Sequence, residues 1–198
     1  MKTHGQESII KGAMQQMFQV GITMVMAVIL LMLPRIALAD TAAGIDRDVD
    51  TALQKLYQST PAAKDLSEIA RGILVFPSVI KGGLIIGGQY GEGALRVGGK
   101  TTGYFKTVSA SYGLQAGAQS FGYALFFIDD NSLNYLQKSG GWEIGIEPNI
   151  VVVDAGMANS ISSTTVKSGV YAFFFDQKGL MAGLTIQGSK ITEFTPEK

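Results

Sequence analysis

Two apolar stretches crowded with glycine constrain the fold of this chain more than any other feature. Val75–Leu95 reads VFPSVIKGGLIIGGQYGEGAL, and Ser111–Phe127 reads SYGLQAGAQSFGYALFF. Glycine inside a helix costs about 1 kcal/mol against alanine, so runs this rich in it do not form helices. They are too apolar for loops. What remains is β-strand, bent, bulged or closely approached at each glycine.

The alternation of the sequence places further strands. Ile73–Phe76 reads as a short buried strand stopped by Pro77, and Leu84–Val97 as a long strand or bent pair closed by the turn Gly98-Gly99-Lys100. Tyr104–Ile128 is the longest strand-like run. Its parity puts Ala110, Tyr112, Leu114, Ala116, Ala118 and Ala124 on one face, and Ser109, Ser111, Gly113, Gln115, Gly117 and Gln119 on the other. One face should meet a core and the other water or a polar cavity. A strand of that length is unusual, so a bend is expected at Gly113, Gly117 or Gly122. Strands return at Trp142–Ile146, Ile150–Asp154, Val166–Phe175 and Leu180–Glu193, with Asp176–Gly179 as a hairpin turn.

Helices precede and interrupt the strands. Ile45, Val49, Leu53 and Leu56 make the apolar stripe of a helix over Ile45–Tyr57, with Asp46, Asp48 and Asp50 in its first turns, where the helix dipole favours negative charge. Thr60 and Pro61 open a second helix that runs to about Arg71, with Gly72 closing it. Asp129 or Asp130 caps a third, Asn131–Lys138, terminated by Gly140-Gly141. The expected fold is α+β and β-dominated: a curved antiparallel glycine-rich sheet, as a sandwich or partial barrel, with two N-terminal helices and one short inserted helix.

Residues 1–39 have the layout of a cleaved export signal. Lys2 and Lys11 give a positive start, Val20–Leu33 an apolar core, and Ala37-Leu38-Ala39 a small-residue cleavage site before Asp40. The apolar core is shorter than the roughly 20 residues of a membrane span. A periplasmic or secreted protein of residues 40–198 is expected, with one domain. It has 13 basic and 15 acidic residues, so a nucleic-acid partner is not expected.

Two absences narrow the chemistry. The single histidine is His4, within the leader, and there is no cysteine. Serine–histidine and cysteine–histidine nucleophiles are excluded from residues 40–198, as are zinc or copper sites of the usual nitrogen and sulfur type. No metal, cofactor or catalytic residue is expected, and the protein is read as a non-enzyme. An enzyme would have to use Glu92 or Asp154 with Tyr or Lys.

The local motifs have plain structural readings. Ala94–Thr101 (ALRVGGKT) fits a loose phosphate-loop pattern, but the sequence after it reads as strand where such a loop needs a helix. Gly87–Gly93 fails the dinucleotide fingerprint, and close strand approach accounts for its glycines. Glu92 has Arg96 and Lys100 nearby as ion-pair partners. Lys81, Arg96, Lys100 and Lys106 fall around the glycine-rich strands and their turns, and are candidates to line an anionic headgroup site.

Taken in order, GILVFP at Gly72–Pro77, VIKGG at Val79–Gly83, GGQYGEGAL at Gly87–Leu95, YGLQAGAQ at Tyr112–Gln119, GWEIG at Gly141–Gly145, VVVDAG at Val151–Gly156, DQKGLMAGL at Asp176–Leu184 and GSKI at Gly188–Ile191 resemble the SYLF-domain proteins. That family includes the yeast Las17-binding actin regulators. The resemblance spans about Ile45–Phe194. It implies binding of phosphoinositides or other anionic lipids, actin binding in eukaryotic members, and no known reaction. In an exported bacterial member actin is not an expected partner, and phosphatidylglycerol, cardiolipin or a lipopolysaccharide-like lipid replaces a phosphoinositide. The expected function is anionic lipid or membrane binding. The alternatives are a small outer-membrane β-barrel or a protein-interaction or structural envelope protein.

Overall fold

The computed structural model describes residues 41–83, 86–112, 117–144, 149–162, 164–179 and 188–197. All of them lie in one compact unit, 39–198. The leader read at 1–39 lies outside the described residues.

Helix α1 (Ala42–Ser59) starts where the Thr41 hydroxyl accepts a hydrogen bond from Gly44 N at 3.2 Å. Its buried stripe is Gly44, Ile45, Val49, Ala52 and Leu56. Helix α2 (Pro61–Ile69) begins on Pro61, whose missing N–H costs nothing at a helix start, and buries Ala62, Ala63 and Leu66. Both helices follow the sequence expectation. Gly72, however, opens the first strand instead of closing α2.

The strands are β1 (Gly72–Gly83), β2 (Ile86–Val97), β3 (Lys100–Tyr112), β4 (Gly117–Phe127), β5 (Trp142–Glu143), β6 (Ile150–Val153), β7 (Val170–Gly179) and β8 (Lys190–Phe194). They form one curled eight-stranded sheet in the order β5-β8-β3-β2-β1-β4-β7-β6. The β-dominated α+β architecture is as expected. Strict antiparallelism is not, because β6 lies parallel to β7. Helix α4 (Ala155–Ala158), where a simple turn was expected, starts the long crossover that a parallel pair requires. The order has two free ends among the described strands, and helices cover part of both faces; an eight-stranded membrane barrel has neither feature.

Three other expectations are corrected. Pro77 does not stop β1. It sits at a register shift between Val75 and Ser78 on the β2 side and between Phe76 and Val79 on the β4 side, where a residue without an N–H is tolerated. Tyr104–Ile128 is not one bent strand. It is β3 and β4, which have β2 and β1 between them; the connection, with Gly113, Leu114, Gln115 and Ala116, lies outside the described residues. Asp176–Gly179 is no hairpin turn. β7 continues through it with a register shift against β4 between Ser120 and Gly122, and Asp176 takes φ 51°. Ile146 and residues 180–187 of the expected later strands also lie outside the described residues.

The sheet has two apolar faces. One packs Leu74, Phe76, Val79, Phe121, Tyr123, Leu125 and Phe127 with Trp142 and with Leu133 and Leu136 of α3 (Asp130–Lys138). The other packs Ile73, Val75, Ala94, Ala124, Phe126, Phe173 and Phe175 under α1 and α2. Burial on both sides explains why Ile73–Phe76 and Ala124–Phe127 are continuously apolar and do not alternate.

Asp129 joins α3 to the sheet. Its carboxylate accepts from Ser132 N at 2.8 Å, Ser132 Oγ at 3.1 Å and Gly169 N at 2.6 Å. Burial pushes its pKa up, but these hydrogen bonds outweigh burial and hold it below the ordinary carboxylate value. A group with a depressed folded pKa stabilises above its unfolded pKa, and that stability is lost as pH falls through the folded value. Asp129→Ala should therefore cost about 2 kcal/mol near pH 7. The gap to the parent, read from urea unfolding, should shrink below about pH 4. A gap independent of pH would contradict this role.

Candidate functional site

The glycine-rich ends of β1 to β4 project beyond the part of the sheet that α1 and α2 cover. Ala94 lies under those helices, and Glu92, Tyr90, Gly88 and Ile86 continue the same face of β2. Pairing across the sheet places Lys178, Ser120, Ile80, Tyr90, Val108 and Lys190 in one row over β7, β4, β1, β2, β3 and β8. Six strands at their usual spacing make this row about 24 Å long. Ile80 is 64% exposed, Tyr90 48% and Val108 41%, and Ile86, further along β2, is 72% exposed. Small residues fill the next row, where Gly82 pairs with Gly88 and Ala118, and Gly88 with Ala110.

This surface is an apolar strip with a lysine at each end, and Lys106 stands on the same face beside Val108. Opposite Lys106 on β2 is Glu92, which accepts a hydrogen bond from the Tyr90 hydroxyl. Partial burial, together with that bond and the carboxylate's charge, pushes the Tyr90 phenol up to about 12. Tyr90 is therefore neutral at any physiological pH, with an apolar ring and a polar tip, as suits an interface between oil and water.

The opposite face of the same strands is polar. Gln119, Lys81, Gln89 and Ser109 pair in a row. Gln89 and Gln119 are buried, and Gln89 Nε2 donates to Ser189 Oγ at 3.1 Å. The two faces expected of the long run are inverted at this end: Ala110 and Ala118, expected toward a core, are exposed, whereas Gln119 of the polar set is buried and Ser109 half-buried. Thr107 and Tyr123 are fully buried on this face, and burial holds the Tyr123 hydroxyl protonated by raising its pKa.

The four basic residues singled out by sequence do not converge. Lys106 borders the apolar strip. Lys81 is on the opposite face. Lys100 is exposed where β3 begins, eight residues from Val108 and so about 27 Å along the strand. Arg96 is engaged by α1: its Nη2 lies 2.7 Å from Asp50 Oδ1 and donates to the Asp46 carbonyl at 3.1 Å, while Nη1 donates to Thr101 Oγ1 at 2.6 Å. Asp46 also accepts from Thr101 Oγ1 at 2.6 Å and the Tyr104 hydroxyl at 3.0 Å. The acidic turns of α1 are thereby neutralised against the sheet.

Arg96→Ala should lower stability by about 1–2 kcal/mol, since its side chain is only 12% exposed although Asp50 is largely solvated. Thermal melting reads the loss, and vesicle binding should stay within twofold. Lost binding at unchanged melting temperature would instead give Arg96 a ligand role.

The carboxylates considered for catalysis are also apart. Glu92 is on β2. Asp154 caps α4 by accepting from Met157 N at 2.8 Å, beyond β6 at the sheet's end, with β1, β4 and β7 between.

A family model described as Ysc84, Las17-binding protein actin regulator, matches residues 108–197, from the lysine-ended row of β3 to the end of the sheet. Residues 108–197 match the SYLF family. The chain is also 30% identical over 149 residues to beta cell expansion factor A of Aeromonas veronii, a match that covers 74% of this chain and 55% of the relative. The chain thus spans about half the length of the curated relative it matches. Val108, Ser120, Lys178 and Lys190 of the strip lie within the SYLF match. Lys106 lies just before it in β3, and Ile80, Ile86 and Tyr90 lie before it in strands paired to it.

Sequence reasoning missed Ile80, Ile86, Tyr90, Val108, Lys178 and Lys190 as a group. The available signal was parity: Ile86, Gly88, Tyr90 and Glu92 share one face of a strand whose other face carries Gln89.

Proposed function

We propose that this SYLF-domain protein is an exported, non-enzymatic module that binds anionic membrane surfaces through the strip Ile80–Tyr90–Val108. The observation that carries the proposal is that row, apolar in the middle with Lys178 and Lys190 at its ends and Lys106 beside it. Apolar side chains enter the interface while the long lysine stems extend their ammonium groups to phosphates. The family's association with lipids supports the reading. The actin regulation named in the family description is given no role, because a leader like that at 1–39 would carry the domain out of the cytosol.

The test is flotation of residues 39–198, the compact unit, with phosphatidylglycerol-containing and purely zwitterionic vesicles. Binding should be selective for the anionic vesicles and weaken with salt. Replacing Lys106, Lys178 and Lys190 with Gln should cost about 1 kcal/mol each, about a hundredfold together. Lys100→Gln, about 27 Å away, should change affinity less than twofold, and Lys81→Gln on the opposite face should behave alike. Equal loss from Lys81→Gln or Lys100→Gln would move the lipid site to the residues singled out by sequence. Full retention in the triple variant would reject the strip. Dimerisation of the unit without vesicle binding would show that a second copy covers it.

A further inference from the structure

A cleft of about 620 Å³ lies between the α1–α2 corner and the β6–α4 segment. Its volume falls in the range of small-molecule sites. Its apolar wall is made by Ala62, Val153, Ile161 and Phe173, of which Ala62, Val153 and Phe173 are buried. The rim is polar, with Ser59, Thr60 and Asn159 and two carboxylates, Asp65 and Asp154. Among the described residues, no lysine, arginine or histidine lines it. Asp154 uses Oδ1 to cap α4, and Asp65 stands exposed on α2.

We propose that this cleft binds a small organic amine, with the apolar body against Phe173, Val153 and Ile161 and the ammonium at Asp65 and Asp154. An apolar floor with a carboxylate rim and no lining cation is complementary to an amphiphile with a single positive end. A neutral molecule would gain the floor alone. An anion would have to sit beside two carboxylates, and among the described residues the group to attract it is the N-terminus of α2, where Thr60 makes no side-chain capping bond.

The test is calorimetric titration of the 39–198 unit with three probes that share one body: 2-phenylethylamine, 2-phenylethanol and phenylacetate. The amine should bind about tenfold tighter than the alcohol, because two solvated carboxylates each contribute modestly, and phenylacetate should bind weakest. Asp65→Asn, at an exposed position with no capping role, should weaken the amine about threefold and leave the alcohol unchanged. Equal affinity for amine and alcohol would overturn the proposal, as would tightest binding of phenylacetate, an unaltered amine affinity in Asp65→Asn, or no saturable binding by any probe.

Discussion

Ile80→Asp combined with Val108→Asp should abolish flotation with anionic vesicles while leaving the domain folded. The two side chains flank Tyr90 in the exposed row and are 64% and 41% exposed. Carrying two such groups from water into an interface is worth about 2–3 kcal/mol, about a hundredfold in affinity. Aspartate adds repulsion from anionic headgroups. The effect on stability should be small, because neither side chain is buried. Ile80→Thr with Val108→Thr keeps β-branched side chains in the strands and should lose most of the apolar gain without the added charge. Binding by both double variants at parent affinity would mean that the apolar residues take no part.

Gly93→Ala should be the most damaging single change in the glycine-rich strands. A Cβ built there lands on the Val75 carbonyl oxygen and 2.9 Å from Phe76 Cδ1. The obstacle is backbone at the start of the β1 register shift, so it has no rotamer by which to escape. Overpacking of this kind costs about 3 kcal/mol or more. For a domain of this size that lowers the melting temperature by roughly 6–12 °C. Gly88→Ala is the control: its Cβ would meet only Ser109 O, at 3.8 Å. It should leave the melting temperature unchanged or slightly raised. If the two variants melt together, close approach does not explain the glycine at position 93.

The glycine-rich strands were legible because glycine and apolar residues together leave few alternatives, and so were the amphipathic stripes of α1 and α2. The order of strands was not. Nothing in Tyr104–Ile128 tells that β1 and β2 lie between its two halves, since that depends on pairing between distant residues. Pro77 misled because a proline that ends an ordinary strand is tolerated at a register shift. Arg96 misled for a related reason. Its neighbours in sequence are strand and turn, and its carboxylate partners, Asp46 and Asp50, are far back along the chain in α1. The strip needed both parity and register: Ile80, Tyr90 and Val108 are scattered in sequence and become neighbours only when three strands pair.

The most direct test of the strip is to place a reporter in it. The chain's one tryptophan, Trp142, is buried and supplies a constant background. Tyr90→Trp would put a second indole at the centre of the row, and Tyr135→Trp a comparable one on α3, where Tyr135 is 42% exposed. Addition of phosphatidylglycerol-containing vesicles should shift the emission of the first variant to the blue and make it quenchable by bromine-labelled lipid, with no change in the second. A shift in the Tyr135→Trp variant alone, or in neither variant while the protein still floats with the vesicles, would contradict the account and place the membrane contact elsewhere on the domain.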